Sequence, residues 1–96
     1  NQYLEEQARI YRGKISLFIA KTLTSSEERK MFEMVLKKIV KDNYVIRDND
    51  NDLQTKVLDK AIEYEFLFFD PADEKIIFNS QIVKKGAEMY LERVAC

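Results

Sequence analysis

Apolar side chains recur along this chain with a helical period at first, then in short continuous runs, then with a helical period again. From Gln2 to Leu23 the positions Leu4, Ala8, Tyr11, Ile15, Phe18 and Thr22 step by four and three, widened by Ile10, Leu17 and Ile19. That spacing predicts a helix with one broad buried face. Gly13 lies inside it at a cost of about 1 kcal/mol relative to Ala, and marks a close helix–helix approach or a local kink. The heptad-like spacing is too short for a coiled coil and predicts a core helix. A second helix follows in TSSEERKMFEMVLKKIVKDN, with Met31, Phe32, Val35, Leu36, Ile39 and Val40 on its apolar face. Ser25 and Glu28 have the spacing of a capping box. Lys37, Lys38 and Lys41 gather in its last turn, where the helix dipole favours cations.

The connector YVIRDNDND contains a short extended piece, Tyr44 to Ile46. Leu53, Val57, Leu58, Ala61 and Ile62 then define a third helix from about Asp52 to Tyr64, capped by Asp50 or Asp52. In FLFFDPADEKIIFNS two apolar runs, Phe66–Phe69 and Ile76–Phe78, flank a turn. Pro71 suits the second position of a type I turn and Asp70 the first, which predicts a β-hairpin. Val83, Ala87, Tyr90, Leu91 and Val94 define a closing helix with Ser80 as its N-cap. The order is helix, helix, helix, hairpin, helix, an α+β and mostly helical domain with a winged-helix-like arrangement. Between Lys41 and Asp52 a normal middle helix with its turns does not fit. Either it shrinks to one turn around Tyr44–Arg47, or the domain is a degenerate member of that class.

Composition narrows the function classes. Ninety-six residues, 46% hydrophobic and 34% charged, with one Pro and two Gly, give one ordered domain over residues 1–96. No apolar run approaches the roughly 18 residues of a membrane span, and no signal-peptide pattern opens the chain. Cys96, the one cysteine, forms no internal disulfide. A reducing, cytoplasmic setting without membrane contact is the expectation. The net charge of −1 conceals a basic first half, a strongly acidic stretch over residues 42–74 and a mildly basic end.

The candidate chemistry is sparse. Asp48, Asp50 and Asp52 alternate as at the start of a calcium loop, but such a loop needs Gly at its sixth position and Glu at its twelfth. Those positions hold Leu53 and Asp59, so the acidic residues read as a helix lead-in and no metal site is expected. Gly13-Lys14 lacks both the first Gly and the hydroxyl of a phosphate loop, since Ala8 and Ile15 stand there. With no His and no partner for Cys96, the chain offers no acid–base or nucleophilic constellation. The expectation is a non-enzyme without cofactor.

Nucleic-acid binding is the alternative that a winged-helix arrangement suggests. Gln54, Thr55, Lys56 and Lys60 on the third helix, with Lys84 and Lys85 on the last, are its contact residues. Asp52, Asp59, Glu63 and Glu65 share the third helix, and Asp70, Asp73 and Glu74 occupy the wing. Those carboxylates disfavour approach to a polyanion. If DNA binds, the basic ends of the first, second and last helices are the better candidates, with Arg9, Arg12, Lys37, Lys38, Lys41, Lys84 and Lys85.

The hairpin carries the more informative pattern. A ribbon with one face in water alternates apolar and polar residues, whereas Phe66–Phe69 and Ile76–Phe78 point apolar side chains both ways. The ribbon is either packed between helices or docked on a partner. Phe66, Phe68, Phe69, Ile77 and Phe78 are the candidate contact residues, some of them core.

The segment DKAIEYEFLFFDPADEKIIFNSQIVKKGAEMYL resembles the C-terminal winged-helix region of archaeal P-loop ATPases related to the AAA and STAND groups. The matching features are Phe69, Asp70 and Pro71 at the turn, the return strand Ile76–Phe78, and Ser80 before the last helix. The resemblance covers residues 53–91 best. It implies an accessory domain without the ATPase module, which contacts a nucleotide-binding domain of the parent chain or a protein partner. None of that family's nucleotide-binding residues has a counterpart here. The expected function is a non-catalytic interaction module. The alternative is a DNA-binding regulator, dimeric through the first helix.

Overall fold

A computed structural model describes residues 2–95; Cys96 lies outside them. Four helices, α1 (Gln2–Thr22), α2 (Ser26–Asp42), α3 (Asp52–Glu63) and α4 (Gln81–Ala95), pack with a hairpin of β1 (Leu67–Asp70) and β2 (Lys75–Phe78) at one side. The domain is α+β and mostly helical, with the hairpin as its wing.

The helices begin and end where local chemistry allows. Ser25, in extended conformation, accepts a hydrogen bond from the Glu28 N–H and starts α2. Asn43 closes it in the left-handed region at φ 73°, where its N–H reaches the Ile39 carbonyl at 2.7 Å. Ser80 Oγ accepts from the Val83 N–H at 3.2 Å and starts α4. The cap of α3 is Asn51, whose Oδ1 accepts from the Gln54 N–H at 3.0 Å. Neither Asp50 nor Asp52 takes that role, because the Asp48 side chain first folds the approach by accepting from the Asp50 N–H.

α1 packs along α4, and the close approach lies at Gly86. A Cβ there would meet Tyr11 Cβ at 2.8 Å and the Ala8 carbonyl at 2.9 Å. Gly13, expected to mark either such an approach or a local kink, faces open space, so the approach is not there. Phe18 lies at the centre of the aromatic core, edge-on to Phe32 and Tyr64 at 5.1 Å and to Phe66 at 5.2 Å. Such T-shaped pairs place the positive ring edge against the negative face of the neighbour.

Two backbone details position the sheet. Glu65 takes a left-handed conformation at φ 66°, and the Phe66 N–H bonds back to the Ala61 carbonyl. Phe66 therefore ends the turn out of α3 instead of starting the strand, and β1 begins at Leu67. Val45 then pairs with Ile76 in antiparallel sense, with N–H to carbonyl distances of 2.9 and 2.8 Å. The segment 44–46 thus adds an extended piece to the free edge of β2. Tyr44–Arg47 is not a helical turn, and no middle helix stands between α2 and α3.

Candidate functional site

Sheet register decides which of the apolar hairpin residues reach solvent. Leu67 pairs with Phe78 and Phe69 with Ile76, and this face looks into the core. Leu67, Ile76 and Phe78 are buried there, while Phe69 at the margin stays 38% exposed. Phe68 pairs with Ile77 on the opposite face, where Phe68 is 48% exposed and Ile77 half-buried. Of the five expected contact residues, Phe66 (5% exposed) and Phe78 (9%) are core side chains. The aromatic cluster with Tyr11 and Phe18 holds Phe66 there, and pairing with Leu67 holds Phe78.

The bridged segment widens this outer face. Because Val45 pairs with Ile76 and the strands run antiparallel, Tyr44 falls beside Ile77 and Ile46 beside Lys75. The Lys75 ammonium lies 4.3 Å from the Tyr44 ring centroid, which confirms that both side chains share the outer face. A cross-strand row Phe68–Ile77–Tyr44 results, with Ile46, 57% exposed, next to it. Beyond Ile46 the surface continues into a groove of about 410 Å³ along α2, with exposed Met34 on its wall.

Tyr44 and Ile46 were missing from the expected contact set. The signal for them was present: in YVI the residues on either side of Val45 share a face if the segment is a strand.

Of the basic residues of α3, Lys60 is drawn inward and Lys56 stays exposed. Lys60 Nζ donates to Glu28 Oε1 at 3.0 Å and to the Thr22 carbonyl at 3.2 Å. Lys56 lies 4.0 Å from the same carboxylate. Glu28, a buried charged residue at the edge of the core, also accepts from the Thr24 and Ser25 hydroxyls. Its carboxylate contacts these side chains, a variation on the capping box that the Ser25/Glu28 spacing implied.

The Lys60 hydrogen bond, then the one from Thr24, bring the Glu28 pKa down to about 2 against the opposing effect of burial. Gln54 is also engaged: its Oε1 accepts from the Asp48 N–H, and its Nε2 donates to the Ile46 carbonyl at 3.3 Å.

The remaining cations are dispersed. Thr55 is half-buried, and Lys84 is half-buried with its Nζ 3.5 Å from Asn43 Oδ1. Lys38 pairs with Asp42 at 2.8 Å, which raises the lysine pKa and lowers that of the aspartate. Lys37, Lys41, Lys85 and Arg9 are exposed, and Arg12 is half-buried.

Among the described residues, no group of three or more His, Cys, Asp or Glu side chains is placed to hold a metal ion. No described helix is long and apolar enough to cross a membrane. No protein-family model, curated protein or solved structure matches the chain.

Proposed function

We propose that this domain is a non-catalytic interaction module whose partner surface is the outer face of the sheet. The observation that carries this reading is the row Phe68–Ile77–Tyr44 with Ile46 beside it, in which Phe68 and Ile46 are exposed and Ile77 and Tyr44 half-buried on a hydrogen-bonded platform, with the Lys75 ammonium over the Tyr44 ring. Large contiguous apolar surface on a small domain marks a contact site more often than an accident of folding. Aromatic anchors lose little conformational freedom when they dock, which suits them to interface centres. The occupant is a protein surface, either another chain or the parent polypeptide. The resemblance over residues 53–91 makes a P-loop ATPase module the first partner to try.

The DNA-binding alternative draws less support. Gln54 and Lys60 already hold groups of their own domain, and the hairpin tip presents Asp73 and Glu74 to solvent. Titrating duplex DNA with the domain at about 50 and 200 mM salt separates the readings. Tight binding that weakens steeply with salt would overturn the proposal in favour of a regulator.

A positive test places a photo-crosslinking residue at position 68 or 46, with position 73 as control, in the cells that make the protein. The expected result is a discrete protein adduct from 68 and 46. Equal labelling from all three positions would sink the reading.

A further inference from the structure

A second concavity, away from the sheet's outer face, joins an aromatic floor to unpaired cations. It is a cleft of about 430 Å³ between α1 and the turn that leads from α3 into β1. Its floor is Phe18 and Phe66, both almost fully buried, with exposed Leu17 and Tyr64 on opposite walls. Lys14 and Lys21 rise from the α1 wall two helical turns apart, about 10 Å along the axis. Among the described residues, neither ammonium has a carboxylate within 4 Å. Lys14 instead lies 4.7 Å from the Tyr11 ring centroid. The opposite wall carries Glu65, and Asn79, whose amide already donates to the Glu65 carbonyl at 2.8 Å.

The groove beside Met34 is a useful contrast. There Lys38 is neutralised by Asp42, Asn51 caps α3 and Gln54 is spent on the backbone. That groove retains apolar contact but no free charge to orient a ligand. The α1 cleft retains both, and small-ligand sites are typically concave, mostly apolar and supplied with a few convergent polar groups.

We propose that the α1 cleft binds a small amphiphilic carboxylate. Its apolar body lies between the exposed Leu17 and Tyr64, above Phe18 and Phe66, which close the bottom of the cleft but offer little surface themselves. Its head sits at the mouth beside Lys21, while Lys14, about 10 Å away along the axis and held over the Tyr11 ring, adds attraction at a distance. Glu65 fixes the orientation, since it repels an anionic head on the hairpin side and leaves the α1 side as the favourable one.

The test is an amide NMR titration of the whole chain with octanoate, with octanol and octylammonium as head-group controls. Octanoate is expected to saturate, with shifts concentrated at residues 14–22 and 64–66. Octanol should bind several-fold more weakly, and octylammonium should not bind there. The double variant Lys14→Glu/Lys21→Glu alters exposed side chains but gives up the Lys14–Tyr11 contact and puts a carboxylate in the last turn of α1, so a slightly lower melting temperature is expected alongside octanoate affinity reduced about tenfold or more.

Equal binding of octanol or octylammonium would overturn the proposal. So would octanoate shifts that map elsewhere or never saturate, or an affinity indifferent to the double charge reversal. Leu17→Ser provides an independent check, because it removes part of the apolar wall and leaves both charges. Octanoate must weaken there too if the chain lies where proposed.

Discussion

Lys60 Nζ lies 3.0 Å from Glu28 Oε1 and 3.2 Å from the Thr22 carbonyl, so one ammonium ties α3 to the end of α1 and to the first turn of α2. Removing it leaves a buried carboxylate with two hydroxyl donors and the distant Lys56. Breaking one side of such a pair costs far more than losing an exposed pair. Lys60→Met is therefore expected to lower the melting temperature by on the order of 10 °C. Lys56→Met, 4.0 Å from the carboxylate and largely exposed, should lower it by less than about 3 °C. Equal effects in thermal melts would show that the short contact does not hold the helices together.

The same carboxylate makes stability depend on pH in a definite direction. Its pKa is about 2 in the folded chain against an ordinary value of 4.5. The unfolded chain thus takes up the proton first as pH falls. The stabilisation is complete above 4.5 and is lost progressively as pH drops from there to about 2. Asp42, also lowered by its contact with Lys38, contributes in the same sense. Denaturant midpoints of the unaltered protein should decline across that window. Glu28→Gln should start lower and decline less steeply, and an unchanged slope would contradict this account.

The two glycines should respond in opposite ways to a single methyl group. At Gly86 a new Cβ lies 2.8 Å from Tyr11 Cβ and 3.1 Å from the Arg12 backbone nitrogen, so α1 and α4 must separate. Overpacking of this kind costs about 1–3 kcal/mol. At Gly13 the Cβ meets nothing within 4 Å in a helix interior, where Ala is better than Gly by up to about 1 kcal/mol. Urea denaturation of Gly86→Ala and Gly13→Ala should show a loss and a gain, respectively. A gain at both would mean that the helix crossing is looser than the distances indicate.

This contrast also separates what the sequence revealed from what it hid. Helix spacing, Ser25 and Ser80 are local signals, and local signals placed α2 and α4 well. Gly13 and Gly86 look alike in sequence, and only the crossing of α1 with α4 assigns the close approach to the second. Phe66 belongs to an unbroken apolar run, yet the left-handed Glu65 keeps it out of the strand. The extended piece Tyr44–Ile46 was legible in the sequence, but its pairing partner, Ile76, which rules out a helical turn over Tyr44–Arg47, comes far later in the chain. Lys60 reads as a free cation on a polar face until Glu28, from another helix, is brought beside it. The candidate surface suffered in the same way: the apolar run named the hairpin, but register had to sort its faces.

That sorting yields a test of the partner surface. Phe68 and Phe78 lie in the same hairpin, one on each face of the sheet. Phe78 is 9% exposed within the core, and Phe78→Ala removes packing worth about 3–5 kcal/mol. Its loss of partner binding would therefore say nothing about the surface. Phe68 is 48% exposed and opposes Ile77 across the sheet, so Phe68→Asp should cost about 1–2 kcal/mol, less than Phe78→Ala. A carboxylate at the β1 end of the apolar row must be desolvated when a partner docks, which makes it more damaging to binding than to folding. The expected result is a folded protein whose melting temperature falls less than that of Phe78→Ala, together with loss of the adduct from a crosslinker at position 46. If the adduct persists at full yield, the partner touches Ile46 and Met34 without the hairpin, and the surface belongs to the α2 groove instead of the sheet.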